Sequence, residues 1–144
     1  MTTLREVMTT QFHAIPANAT IAEAAKMMNA HDIGMLPVTE DGRVLGAITD
    51  RDIVVRSVAE GHNPAETPVS IAMTPDVVYV SEDRDVNEAA NVMEERQVRR
   101  LIVVDDEERP VGIASLGDLA LQSGDTRLAG EVLTEVSKGK GERR

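Results

Sequence analysis

The sequence repeats itself once, and that duplication constrains the fold more than any other feature. Val7-Met8-Thr9 returns as Ala72-Met73-Thr74, sixty-five positions later. Thr20-Ile21-Ala22-Glu23-Ala24-Ala25 returns at the same offset as Asp85-Val86-Asn87-Glu88-Ala89-Ala90, and Leu36-Pro37-Val38 as Leu101-Ile102-Val103. One residue is then gained and the offset becomes sixty-six: Gly46-Ala47-Ile48-Thr49 matches Gly112-Ile113-Ala114-Ser115, and Asp52-Ile53 matches Asp118-Leu119. Two copies at this spacing imply two similar halves that bury their apolar faces against each other.

Each copy carries the same local signals. Thr20 with Glu23 forms a capping box that opens a helix, and Ile21, Ala24, Ala25 and Met28 follow at the spacing of one buried stripe. Asp85 with Glu88, then Val86, Ala89, Ala90 and Met93, repeat the device. Two β-rich runs come next, Met35 to Thr39 and Val44 to Thr49, with the hairpin signal Asp41-Gly42 between them. Their counterparts are Leu101 to Val104 and Val111 to Ser115, joined by the polar loop Asp105 to Arg109. A helix is expected from about Asp50 and again from Leu116, and a short strand before each first helix, near His13 to Ile15 and Val77 to Val80. The unit is β-α-β-β-α, twice, an α/β (α+β) chain. Copy one spans 1–60, a linker 61–70 rich in turn residues follows, copy two spans 71–124, and 125–144 forms a C-terminal extension. Thr3 with Glu6 predicts a short helix before the first copy, and Gly130 to Val136 a last helical turn before the basic, disordered tail Lys138 to Arg144.

Composition narrows the function. There is no Cys, which excludes disulfides, thiolate metal sites and thiol catalysis. The only aromatic residues are Phe12 and Tyr79, so the core rests on Val, Ile, Leu, Ala and seven Met. The residues Met1 to Met8 lack a signal-peptide pattern and no apolar run approaches the ~20 residues of a membrane span, which gives a cytoplasmic expectation. A net charge of −10 disfavours nucleic acid as a partner; the tail Lys138 to Arg144 is the one segment suited to a polyanion. His13, His31 and His62 show no metal-ligand spacing and read as lone surface or turn residues, and the Met residues read as core filler. No phosphate loop, triad or ligand cluster is present, so no catalytic role, metal or required cofactor is expected.

The opening Val7-Met8-Thr9 and the closing segments Gly46-Ala47-Ile48-Thr49-Asp50-Arg51-Asp52 and Gly112-Ile113-Ala114-Ser115-Leu116-Gly117-Asp118 resemble those of the tandem CBS domain, or Bateman module. The resemblance covers about residues 4 to 124 and is nearest to short stand-alone members of the hypoxic-response type. It implies two sheets packed about a pseudo-two-fold axis, a homodimer packed through helices, and two clefts between the copies for adenosine-containing ligands. It further implies that Asp52 accepts ribose hydroxyls and that Thr49 sits near ribose or phosphate. The first cleft is then Thr49, Arg51 and Asp52 with Thr74, Val98, Arg99 and Arg100, and Tyr79 is a candidate to close on the base or, as a core residue, to bond through its hydroxyl. The second, weaker cleft pairs Ser115 and Asp118 with Thr9, Ile33, Gly34 and Met35, where Gly34 and Met35 replace the two arginines.

Each of these residues has a plainer reading. Thr49-x-x-Asp52 and Ser115-x-x-Asp118 are also ordinary helix caps, and capping coexists with binding. Arg99-Arg100 enters an apolar strand and must find an anion or water, either a phosphate or one of Asp105, Asp106, Glu94 and Glu95. The expected function is a non-catalytic regulatory module binding AMP, ADP, ATP or another adenosyl compound such as S-adenosylmethionine, a dinucleotide or NAD, read by a downstream protein. The alternative is a ligand-independent dimerisation or scaffold protein.

Overall fold

The computed structural model describes residues 2–123. In chain order these form α1 (Leu4–Val7), β1 (Ile15–Pro16), α2 (Ile21–His31), β2 (Met35–Glu40), β3 (Arg43–Thr49) and α3 (Asp50–Asp52), which continues as a π-helical segment (Ile53–Val58). Then come α4 (Val69–Ala72), β4 (Thr74–Pro75), β5 (Tyr79–Ser81), α5 (Val86–Arg96), β6 (Arg100–Val104), β7 (Pro110–Ser115) and α6 (Leu116–Ser123). The turn expected at Gly130 to Val136 and the tail Lys138 to Arg144 lie outside the described residues. No helix among the described residues is long and apolar enough to cross a membrane.

The chain forms two compact units, and their borders do not follow the two sequence copies. One unit is the continuous stretch His13 to Val77; the other joins the segment ending at Phe12 to the segment beginning at Val78. In the continuous unit the sheet order is β1-β2-β3-β4, with β1 parallel to β2 and the other pairs antiparallel. Its last strand, β4, comes from the opening segment of the second copy, with Ala47 opposite Thr74 and Gly46 opposite Pro75. The discontinuous unit repeats the plan with β5-β6-β7, and there Thr9 of the first copy's opening lies on β7. Thr9 N–H donates to the Ile113 carbonyl at 2.9 Å and Ile113 N–H returns the bond at 3.0 Å. Each unit is therefore the body of one copy closed by the opening segment of the other.

A glycine makes each closure possible. A Cβ on Gly46 would stand 2.4 Å from the Thr74 carbonyl oxygen, and one on Gly112 would stand 2.7 Å from Met8 Sδ and 3.0 Å from the Thr9 carbonyl oxygen. The segment 61–70 also does more than connect. Ile21 N–H donates to Thr67 O at 2.9 Å, Ala22 N–H to Pro64 O at 3.0 Å and Val69 N–H to Ala19 O at 2.7 Å. Val69 is fully buried in the core of the continuous unit, with Ile15, Ile21, Leu36, Val38 and Ile48.

Local signals in the sequence explain most of the elements. Asp41 and Gly42 both take positive φ, 53° and 81°, as a tight two-residue hairpin turn with the twist of its strands requires. The Thr20 hydroxyl caps α2 by accepting from Glu23 N–H at 3.1 Å. In α5 the expected Asp85–Glu88 box is not reciprocal: Asp85 accepts from Asn87 N–H at 3.1 Å, while Glu88 pairs with Arg84 at 3.6 Å. Both long helices end on a residue in the left-handed region, Asp32 and Gln97, each at a position often held by glycine. A register irregularity recurs at Val38/Thr39 and Val103/Val104, the same place in each copy.

One stripe residue departs from the expected pattern. Ala25 is exposed, whereas its counterpart Ala90 is buried. Ala90 belongs to a cluster with Leu116, Leu119 and Ala120 of α6. The corresponding residues of the continuous unit are Asp50, Ile53 and Val54, and Val54 is 59% exposed, so less apolar cover is available there. Ser57, inside the π-helical segment, is buried without a hydrogen-bond partner for its hydroxyl among the described residues.

The loop between β6 and β7 is held by one carboxylate. Asp105 accepts from Glu107 N–H at 2.8 Å, Arg109 N–H at 3.0 Å and Arg109 Nε at 2.9 Å. The Arg109 backbone N–H above all holds the carboxyl below the ordinary carboxylate range; burial opposes it, and the Glu107 N–H and the Arg109 side chain add smaller lowering effects. A lowered folded-state pKa stabilises above the unfolded value and is lost as pH falls through the folded one. Urea unfolding of the Asp105→Asn variant should therefore show a stability deficit at neutral pH that narrows below about pH 4. Gly46→Ala should destabilise the fold by about 2 kcal/mol or more, because the added methyl meets backbone rather than a movable side chain; a urea midpoint equal to the parent's would refute this.

Candidate functional site

Thr49 ends β3 in an extended conformation and opens α3 as its N-cap. Its hydroxyl accepts from Asp52 N–H at 3.0 Å, and Asp52 Oδ2 accepts from Thr49 N–H at 3.0 Å. The capping reading of this motif is thus realised in full. Asp52 does more, because the hydroxyl of Thr74 on β4 donates to the same Oδ2 at 3.4 Å. Asp52 is only 8% exposed, and it is the one buried charged residue among those described. A carboxylate held this far from water needs such partners to satisfy its oxygens.

Arg56 completes the arrangement. Its Nη1 donates to the Met73 carbonyl at 3.1 Å, and its Nε stands 3.8 Å from Asp52 Oδ1. Thr49, Arg51, Asp52, Val55, Arg56 and Thr74 line an open pocket of about 280 Å³. All six lie in the continuous unit. The pocket therefore joins two hydroxyls, one carboxylate, two guanidinium groups and an apolar wall. Such a set suits a ligand with vicinal hydroxyls and an anionic group.

Four of the seven residues expected in the first cleft belong to this unit: Thr49, Arg51, Asp52 and Thr74. The other three belong to the discontinuous unit. Val98 packs partly buried against its core, Arg99 is half-buried, and Arg100 is exposed at the start of β6 opposite Ser115. Both arginines have interaction partners. Asp105, one of the anions considered for them, is engaged by Arg109.

The residues of the second cleft divide in the same way. Ile33, Gly34 and Met35 lie in the continuous unit, where Asp50 N–H donates to Gly34 O at 3.0 Å. Thr9, Ser115 and Asp118 lie in the other, where Ser115 Oγ accepts from Asp118 N–H at 3.0 Å. The equivalent of the Asp50–Gly34 bond there is Leu116 N–H to Arg99 O, also 3.0 Å.

Tyr79 is not a core residue. It is 37% exposed and its hydroxyl donates to Glu108 Oε2 at 3.0 Å, which raises its pKa, with a lesser contribution from burial. Two of the histidines are not isolated: the rings of His13 and His31 stack with centroids 3.6 Å apart. The sequence separates them by eighteen positions, and only the pairing of elements around α2 brings them together. Among the described residues no group of three or more His, Asp or Glu side chains is placed to hold a metal ion.

The CBS-domain family model matches residues 4–58 and again 69–123. The chain belongs to the CBS-domain family. It carries two such domains in tandem. CBS domain-containing protein YhcV of Bacillus subtilis (strain 168) is 39% identical over 137 residues, which are 95% of this chain and 96% of that protein. Among solved structures, Hypoxic Response Protein I with two coordinated zinc ions is 38% identical, with a TM-score of 0.74 over 83% of this chain and 97% of that one. The CBS domain pair of protein MJ0100, solved in complex with 5′-methylthioadenosine and S-adenosyl-L-methionine, is 29% identical, with a TM-score of 0.72 over 86% of this chain and 97% of that one.

Asp52 is thus a structural residue as well as a pocket residue. Asp52→Ala removes the bonds from Thr49 N–H and Thr74 hydroxyl and should lower stability by about 1–2 kcal/mol. An unchanged unfolding midpoint for that variant would show that the cap contributes nothing.

Proposed function

We propose that this CBS-domain protein is a non-catalytic regulatory module that binds an adenosyl ligand, with Asp52 accepting the ribose hydroxyls. The observation that carries the reading is the Asp52 carboxylate, buried in a pocket with two threonine hydroxyls and two arginines. Oδ2 is used by the cap and by Thr74, while Oδ1 lies toward Arg56 at a distance too long for a hydrogen bond. A carboxylate has about four acceptor positions, so ribose hydroxyls can be taken without dismantling the cap. Two adenosine compounds bound by the CBS pair of MJ0100 make the same ligand class the natural one to try here.

Regulation follows from binding to one conformation in preference to another: the ligand shifts the population toward the state that holds it, and a partner protein reads that state. Ser115 and Asp118 supply a second copy of the motif without the arginines, and we assign it a weaker affinity.

A second reading, a ligand-independent scaffold that self-associates, is favoured by a different observation. Val54, Val58 and Ile71 are 57–59% exposed on the π-helical segment and α4, which pack against each other. Thermal unfolding against adenine and guanine compounds separates the two. At a hundredfold excess over Kd an adenosyl ligand stabilises by about 2.7 kcal/mol, a rise on the order of ten degrees. That rise should vanish in Asp52→Asn, and Arg99→Ala in the same series tests whether the arginines of the other unit take part. No shift with any compound at millimolar concentration would leave the scaffold reading.

A further inference from the structure

We infer that Arg56 makes the Asp52 pocket selective for anionic nucleoside phosphates over cationic adenosyl sulfonium compounds. The inference rests on the adenosyl-binding reading above and goes beyond it, because it fixes the charge of the ligand and names the residue that selects it.

Three observations carry it. The first is the charge of the pocket wall: Arg51 and Arg56 against Asp52 leave a net positive lining in a chain of net charge −10. A phosphate entering there is attracted locally, and a sulfonium is repelled by the same two groups.

The second is the fixing of Arg56. Its guanidinium bonds the Met73 carbonyl through Nη1 and faces Asp52 through Nε, so it is anchored on two sides, while the side chain stays 49% exposed. Guanidinium has five donors, and those not used by these two contacts are available in a fork already oriented. Asp52 offsets part of the charge, and Arg51 adds to it.

The third is internal to the molecule. At the positions of the second copy equivalent to Arg51 and Arg56, sixty-six residues on, the chain has Gly117 and Gln122. The motif Ser115-x-x-Asp118 keeps the hydroxyl and carboxylate and lacks both cations. In the two closing segments the ribose-type groups are thus duplicated, and the cations stand in one of them only.

Isothermal titration of the full chain with AMP, adenosine, 5′-methylthioadenosine and S-adenosylmethionine tests this. The parent should bind AMP about tenfold or more tightly than adenosine, and methylthioadenosine more tightly than S-adenosylmethionine, as one charge-assisted contact implies. The AMP preference should shrink with added salt, while adenosine binding stays level. Arg56→Gln, which installs the residue of the second copy, should reduce AMP affinity about tenfold, leave adenosine within about twofold and improve S-adenosylmethionine. Parent protein that binds S-adenosylmethionine as tightly as AMP overturns the inference without any variant. An equal loss of AMP and adenosine in Arg56→Gln also overturns it, because it assigns Arg56 a structural role only. Failure of all four compounds, adenosine included, to bind the folded parent instead removes the adenosyl-binding reading itself.

Discussion

The antiparallel contact of β3 with β4 determines what the rest of the continuous unit can do. Thr74 comes within reach of Asp52 only because its backbone lies against Gly46, close enough that no other residue type fits without a shift. The same contact sets the Met73 carbonyl where Arg56 can take it. A glycine at the middle of a strand thereby positions a hydroxyl, a carbonyl and, through them, a carboxylate and a guanidinium. Gly112 makes the matching close approach to Met8 and Thr9 in the other unit, where Gly117 and Gln122 stand at the positions of Arg51 and Arg56. One backbone device has been kept in both copies and given different side chains.

Much of this architecture was legible in the sequence, where local physics determines the outcome. The Asp41-Gly42 turn, the Thr20 cap, the stripe Val86, Ala89, Ala90 and Met93, and the two hairpins β2–β3 and β6–β7 all depend on residues close together in the chain. What was not legible depends on distant partners. Ala25 has the right spacing for burial, but of the α6 residues that cluster with Ala90, Leu116 has a polar counterpart in Asp50 and Ala120 an exposed one in Val54. The π-helical segment Ile53–Val58 carries no local signal that separates it from an α-helix. Burial of Val69 within the supposed linker comes from contacts with α2 and β1, which no window of sequence contains.

The site divides along the same line. Thr49, Arg51 and Asp52 stand in one motif, and the link to Thr74 came with the family resemblance. Arg56 was missed although it lies four residues after Asp52, a spacing that brings side chains together on a helix. That spacing was available, but charged pairs of this kind are common on exposed helices and carry little weight alone. Its bond to the Met73 carbonyl distinguishes it, and that partner is seventeen positions away. The stacked His13 and His31 escaped notice for the same reason.

The exchange of opening segments also bears on the order in which the chain acquires structure. The unit from His13 to Val77 is continuous, so all its partners have been synthesised once Val77 is made, and it needs no later residue to complete its sheet. The other unit must hold its first piece, ending at Phe12, until the segment beginning at Val78 is available. Closing a loop of that length costs only slightly more entropy than closing a shorter one, since the cost grows with the logarithm of length. It does, however, make the second unit late. Leu4 and Val7, fully or nearly fully buried in the finished core, are solvent-exposed apolar groups until then. During synthesis the unit that carries the arginine pocket is thus the first to have all its residues available, and the segment ending at Phe12 waits longest for its partners.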